Sequence, residues 1–322
     1  MDEPVIVVTR RWPAPVEEEL VRRFPHVRLN VEDVPLGPEG LRAALEQADV
    51  VLPTVSDRLG AELFDGELRT TFLGNFGVGY DHIDIEAAAR AGIVVTNTPG
   101  VLTDTTADTT MTLLLMVARR AGEGEREVRA GRWTGWRPTH MMGADVTGKT
   151  LGILGMGRIG VAVARRAHFG FGMPVVFHDP VDFEPDHGIP GARRVDTVEE
   201  VLALADFVSL HMPGGGENAR LIDAAALARM KPTAFLVNSA RGDVVDQQAL
   251  IAALRSGTIA GAGLDVYEDE PEIPRDLREL DNAVLLPHLG SATRETRTAM
   301  GMLVLADLQA FLTGHPPSCR VA

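Results

Sequence analysis

The stretch TLGILGMGRIGVAVARRA, residues 150–167, constrains the fold more than any other part of the chain. A short apolar run reaches Gly155, further glycines stand at 157 and 160, and a helical pattern then begins. A bare G-x-G-x-x-G also occurs in ordinary turns. Here it joins a strand to a helix, and a second strand ends in Asp179, nineteen residues beyond Gly160. Gly155 permits the tight turn, Gly157 lets a pyrophosphate approach the backbone, and Gly160 lets helix and sheet pack closely. The helix start, at Arg158 and Ile159, offers free N–H groups and the positive end of its dipole, and Arg158 adds a charge. A dinucleotide site is the expectation. Asp179 is suited to accept hydrogen bonds from ribose hydroxyls and to repel a 2′-phosphate, which predicts NAD(H) as the preferred cofactor. Arg165, Arg166, Arg193 and Arg194 leave NADP(H) open.

Around this motif the chain alternates strand and helix signals. VIVVT (5–9), DVVLPT (49–54) and IVVTNTPG (93–100) read as strands, separated by helical patterns such as VEEELVRRF (16–24) and DIEAAARAG (84–92). A long helical pattern covers 105–130. Strand candidates then follow at 150–155, 174–179, 206–213, 234–240, 261–267 and 283–288, again with helices between them, and the C-terminal segment is helical. Apolar strands alternating with amphipathic helices imply parallel sheets covered on both faces. A chain of 322 residues exceeds what one core usually supports, so two α/β domains of doubly wound parallel sheet are expected. The final helix is assigned back to the first domain, which gives 1–99 plus 288–322 and 100–287.

Composition narrows the function. The net charge of −14 argues against nucleic acid or an anionic membrane as partner. No run approaches the roughly 20 apolar residues of a membrane span. The acidic start MDEPVIVVTRR enters a strand at once and does not read as a signal peptide, so the cytoplasm is the expected location. One cysteine, Cys319, can form no internal disulfide, and no spacing suggests a metal site.

Ligands of such sheets bind outside the carboxyl ends of the strands. Arg241 follows one strand (LVNSARGDVVD), Glu270 follows the next (LDVYEDEPE), and His288 ends the last (AVLLPHLGSATRE). Arginine pairs with carboxylates, and histidine beside a carboxylate is a general acid near neutral pH. Any one of the three alone is better read as a turn, surface or strand-cap residue. At consecutive strand ends they favour a catalytic set. The glycine-rich turn NFGVGYDHID (75–84) can bind an anion through its backbone amides.

The segments GVGYDHID, NTPGVLTDTTADTTMTLLL, GKTLGILGMGRIG, LVNSARGDVVD, GLDVYEDEP and PHLGSAT resemble, in order and over nearly the whole length, the D-isomer-specific 2-hydroxyacid dehydrogenases. GVLTDTTAD, WTGWRP and PHLGSAT are most similar to the glyoxylate/hydroxypyruvate reductases within that family. The resemblance implies a flavodoxin-like substrate domain, a Rossmann domain and a cleft between them, with closure hinged near Pro99–Gly100 and Pro287–His288. It implies Arg241, Glu270 and His288 as the catalytic residues, with Glu270 rather than Glu268 as the histidine's partner, and Val78 and Gly79 as amides for the substrate carboxylate. It further places Thr106, Arg158, Ile159, Asp179, Pro213, Ala240, Asp265 and Gly290 at cofactor positions. A homodimer is implied, with residues 131–142 reaching the partner and Trp133 or Trp136 at its pocket. Reductases of this group that use NADPH carry an arginine-serine pair where this chain has HDP (178–180), a departure that favours NADH. The alternatives are another 2-hydroxyacid dehydrogenase, such as phosphoglycerate dehydrogenase, or a non-enzymatic NADH-binding protein like the corepressors that share the fold.

Overall fold

The computed structural model describes residues 3–181 and 187–322. The chain divides into two compact units, Met1–Leu102 with Ala292–Ala322, and Thr103–Ser291. The boundaries read from the sequence fall a few residues earlier, and the shift moves His288 into the second unit. The reason is local. The His288 amide donates to the Asp265 carbonyl at 2.9 Å, and the next two amides donate to the Asp265 carboxylate.

The first unit runs β1 (Ile6–Val8), α1 (Ala14–Arg23), β2 (Val27–Arg28), α2 (Gly37–Gln47), β3 (Val50–Leu52), β4 (Phe72–Gly74), α3 (Ile85–Arg90) and β5 (Val94–Thr96). Its sheet is parallel, in the order β2-β1-β3-β4-β5, the flavodoxin-like arrangement. Successive strand residues alternate faces. Val51, Leu73 and Val95 pack with Leu41, Leu45 and Ala88 of α2 and α3. Ile6, Val50, Leu52 and Phe72 pack with Val16 and Leu20 of α1 and with Val304 and Leu308 of the C-terminal helix. Burial on both faces is why these strands read as continuous apolar runs. β2 and β4 escape a sequence reading because VR and FLG carry only one and two apolar side chains, too few to stand out as an apolar run.

The second unit runs α4 (Thr103–Ala118), α5 (Ala121–Arg129), β6 (Leu151–Leu154), α6 (Arg158–Phe171), β7 (Val175–His178), β8 (Arg193–Arg194), α7 (Val198–Leu204), β9 (Phe207–Leu210), α8 (Ala224–Arg229), β10 (Phe235–Asn238), α9 (Gln247–Ser256), β11 (Gly261–Leu264), α10 (Arg275–Arg278) and β12 (Ala283–Leu285). The C-terminal helix α11 (Arg294–Leu312) belongs to the first unit. The sheet order β12-β11-β10-β9-β6-β7-β8 is a Rossmann arrangement with one added strand, and it reverses direction between β6 and β9. Ile153, Phe177, Phe207 and Val237 pack under α4 and α6, and Leu154, Val208, Leu236 and Leu264 face α7 to α9. The helical pattern read over 105–130 is two helices. Arg120 turns left-handed (φ 52°), and the Ala144 amide takes the Ala118 carbonyl at 2.8 Å. Gly122 and Gly124, poor helix formers, lie just past this break. No helix among the described residues is long and apolar enough to cross a membrane.

Candidate active site

β6 ends at Leu154, on the side of the sheet where its order reverses. Gly155 follows with φ 90°, and its Cα lies so close to β9 that a Cβ would sit 2.8 Å from the His211 carbonyl carbon and the Met212 nitrogen. A Cβ at Gly160 would collide with the Gly155 carbonyl oxygen, so both glycines are imposed by close approach. Gly157 differs. It is the N-cap of α6, no side chain caps the helix, and a Cβ there would meet nothing within 4 Å. Open space thus borders the N-cap of a 14-residue helix whose first N–H groups, those of Arg158, Ile159 and Gly160, have no partner among the described residues and stand at the dipole's positive end. This cradle fits the pyrophosphate of a dinucleotide.

Asp179 follows β7 and is buried, 7% exposed. Its Oδ2 accepts the Met156 amide at 2.7 Å and its Oδ1 accepts the Val181 amide at 2.9 Å. The carboxylate therefore locks the glycine loop to the end of β7, with lone pairs left over for a ribose. Of the four arginines weighed for a 2′-phosphate, Arg166 is held by Asp104 and Asp108 at 2.9 and 2.7 Å. Arg194 donates to the Asp179 carbonyl at 2.9 Å, and Arg165 lies over the Phe169 ring. Arg193 is exposed on β8.

The next strands deliver the candidate acid-base residues. His288, after β12, adopts a left-handed backbone (φ 55°). Its Nδ1 lies 2.8 Å from Glu270 Oε2, while Glu270 Oε1 accepts the Tyr267 amide at 2.9 Å. Both carboxylate oxygens are engaged, so the imidazole is held with Nδ1–H toward Glu270 and Nε2 outward. Burial pushes the Glu270 carboxyl up. The hydrogen bond and charge of His288, the Tyr267 amide and the charge of Arg241 outweigh this and hold it below the usual range. Glu268, the other acid of the run, pairs instead with Arg220 at 2.7 Å.

The histidine turn is clasped from below. Asp265, 1% exposed at the end of β11, accepts the Leu289 and Gly290 amides at 2.7 and 2.8 Å, and Thr106 of α4 donates its hydroxyl to the Gly290 carbonyl at 3.2 Å. Burial raises the Asp265 carboxyl above its usual value despite these donors. Tyr267, which sequence reasoning missed, donates its hydroxyl to the Leu286 carbonyl at 2.8 Å and so ties the Glu270 segment to the His288 segment. Arg241 follows β10 through Ala240. The Asn238 side chain holds both ends of that turn, donating to the Arg241 carbonyl at 2.8 Å and accepting the Ala240 amide at 3.0 Å. Pro213 is exposed on the loop after β9.

In the first unit, Val78 and Gly79 lie in the turn after β4. Asn75 donates from Nδ2 to the Gly77 and Gly79 carbonyls at 3.1 and 2.8 Å, and Asn97 donates to the Val78 carbonyl at 2.7 Å. Three successive carbonyls are pinned by side chains, and the Val78 and Gly79 amides make no hydrogen bond among the described residues. The sequence signal for Asn75 was its place just before Gly77, at the entrance of a glycine turn, where an asparagine side chain folds back on the backbone.

A nucleotide-binding sheet with an arginine and a histidine-carboxylate pair at neighbouring strand ends defines a pyridine-nucleotide oxidoreductase. The family model for the D-isomer specific 2-hydroxyacid dehydrogenase NAD binding domain matches residues 111–290. The chain belongs to the D-isomer-specific 2-hydroxyacid dehydrogenases, and its second unit carries the NAD-binding domain. It is 44% identical to a glyoxylate reductase of Korarchaeum cryptofilum, over 98% of this chain and 95% of the relative. A solved Thermus thermophilus protein is 43% identical with a TM-score of 0.89, covering 98% of this chain and 99% of the other. An NADPH-dependent glyoxylate/hydroxypyruvate reductase from Sinorhizobium meliloti, solved with NADP and malonate, is 35% identical with a TM-score of 0.87, covering 100% and 97%.

Proposed function

We propose that the protein reduces small 2-oxoacids, glyoxylate and hydroxypyruvate foremost, to 2-hydroxyacids with a reduced nicotinamide dinucleotide. The observation that carries this is the 2.8 Å His288–Glu270 pair, clasped by Asp265 beside the strand end that bears Arg241. The bound cofactor supplies hydride to the carbonyl carbon. His288 donates its Nε2 proton to the carbonyl oxygen and, in reverse, recovers it from the hydroxyl. Glu270 stabilises the imidazolium, Arg241 orients the substrate carboxylate and polarises the carbonyl, and the Val78 and Gly79 amides hold the carboxylate. The small residues Thr54, Val55 and Ser56 leave room for a short substituent. Gly155, Gly157, Arg158, Ile159 and Gly160 cradle the pyrophosphate. Asp179 takes the ribose and selects NAD(H), with NADP(H) as the weaker partner. Thr106, Pro213, Ala240, Asp265 and Gly290 complete the cofactor side. The active form is a cytoplasmic homodimer, in which residues 131–142 cover a partner. In support, Trp133 and Trp136 stand 53% and 81% exposed on the single chain.

Initial rates of NADH and NADPH oxidation with glyoxylate, hydroxypyruvate, pyruvate and phenylpyruvate test the reading. Fast NADH turnover on the first two substrates is expected. Preference for NADPH would overturn Asp179 as selector, and activity confined to bulky 2-oxoacids would move the substrate assignment. Tight NADH binding without turnover would favour a binding protein.

A further inference from the structure

The loop after β9 has the sequence PGGGEN, Pro213 to Asn218, and two of its residues bear on Arg241 in a way the catalytic reading does not use. A Cβ at Gly214 would lie 3.0 Å from Arg241 Cγ, 3.1 Å from its Cβ and 2.5 Å from Asp243 Oδ1. The backbone of Gly214 therefore runs directly over the aliphatic stem of the arginine, so close that an added methyl group would crowd the stem and push Asp243 aside. The next residue, Gly215, is left-handed at φ 72° and donates its amide to Asp243 Oδ2 at 2.7 Å. Asp243 is itself fixed on the far side, because its carbonyl accepts the Arg220 amide at 2.7 Å. The stem of Arg241 is thus enclosed between its own turn, held by Asn238, and a glycine strap hooked down by a carboxylate two residues further on.

We propose that Asp243 is a positioning residue for Arg241, hooking the Pro213–Gly216 loop across the arginine so that its guanidinium is presented in one orientation. The proposal rests on the reading of Arg241 as the residue that binds the substrate carboxylate. A long flexible side chain that must pair bidentately with a carboxylate loses affinity when its stem is free to change rotamer, and the strap, together with the 2.6 Å bond from Arg241 Nη1 to the Ala240 carbonyl, restricts that freedom before substrate arrives.

The test uses the full chain with saturating NADH and varied glyoxylate. Asp243→Ala should raise KM for glyoxylate by about tenfold, the scale of one lost hydrogen bond to a charged group, with kcat changed less than KM and NADH affinity held within about twofold. Asp243→Asn keeps an oxygen that can accept the Gly215 amide, and should return KM to within about twofold of the parent. Gly214→Ala, which adds one methyl group against the arginine stem, should raise KM in the same sense, and it carries the test if Asp243→Ala does not fold. Arg241→Ala is the control for the underlying reading. If it leaves KM unchanged, that reading falls and the strap with it. If Arg241→Ala raises KM while Asp243→Ala and Gly214→Ala do not, the strap alone is overturned. Asp243→Asn as damaged as Asp243→Ala would show that the charge, and not the hook, is what matters.

Discussion

Both units end parallel strands in turns suited to ligands, yet they arm those turns differently. After β10, β11 and β12 the second unit presents side chains, namely Arg241, Glu270 and His288, each fixed by neighbours that are themselves bonded. After β4 the first unit presents main chain, two amides whose adjacent carbonyls are held by Asn75 and Asn97. The glycine loop after β6 is a third case, in which the start of a 14-residue helix aims the amides. The turn at 75–79 has no such helix behind it, so asparagine side chains do the aiming. A backbone site can thus be built from a helix or from side-chain donors, and the second kind can be dismantled by one substitution. Proton transfer, in contrast, needs a titrating side chain that the main chain cannot supply.

The largest expected effect breaks the side-chain half of this comparison. His288→Ala should lower kcat by about 10² to 10⁴-fold, the usual range for a general acid, with NADH binding intact in a fluorescence titration. Near-normal turnover would remove the histidine from the mechanism. For the main-chain half, Asn75→Asp replaces two N–H donors with a carboxylate facing two carbonyl oxygens. About 2 kcal/mol of hydrogen bonding is at stake, so KM for glyoxylate should rise by up to about thirtyfold with NADH affinity unchanged. An unaltered KM would mean that the turn needs no side-chain support. The helix-aimed loop is probed by Gly157→Ala. Its φ of −73° suits alanine and the new methyl meets no protein atom, so the only stability cost should be the poorer helix cap, about 1 kcal/mol or less, while the NADH dissociation constant rises about tenfold. Unchanged NADH affinity would show that nothing approaches the backbone there.

The smallest effect on turnover concerns His211, just after β9, whose Nε2 lies 2.8 Å from the Ser209 hydroxyl. Burial pulls its pKa from 6.5 down to about 3. Between those values the unfolded chain binds a proton that the folded chain refuses, so folding stability falls as pH drops from about 6.5 to 3. Replacement by asparagine should flatten that part of the denaturation midpoint against pH. An identical slope in the variant would place the titration elsewhere.

The division between what sequence and structure each supplied follows from physics. Periodicity and glycine spacing are local, so the alternating strands, the fingerprint at 155–160 and the strand-end positions of Arg241, Glu270 and His288 could be read directly. The choice between Glu268 and Glu270 was not local, because both lie in one acidic run, and resemblance alone decided it before geometry paired one with Arg220 and the other with His288. β2 and β4 were invisible because VR and FLG hold only one and two apolar side chains and form no apolar run. The break at Arg120 was invisible because the Ala144 amide that accompanies it comes from outside the helix.

By itself, the sequence determined that this chain builds parallel α/β sheets, that one of them binds a dinucleotide, and which three ionisable residues stand at neighbouring strand ends. Tertiary structure alone decided how those residues are held. Asp265, Tyr267, Asn97 and Asp243 work by bonding backbone groups of other segments, and such a bond leaves no pattern in the chain that carries it. A side chain's periodic position is written in its own neighbourhood, but its hydrogen-bond partner is fixed only when folding brings distant strand ends together.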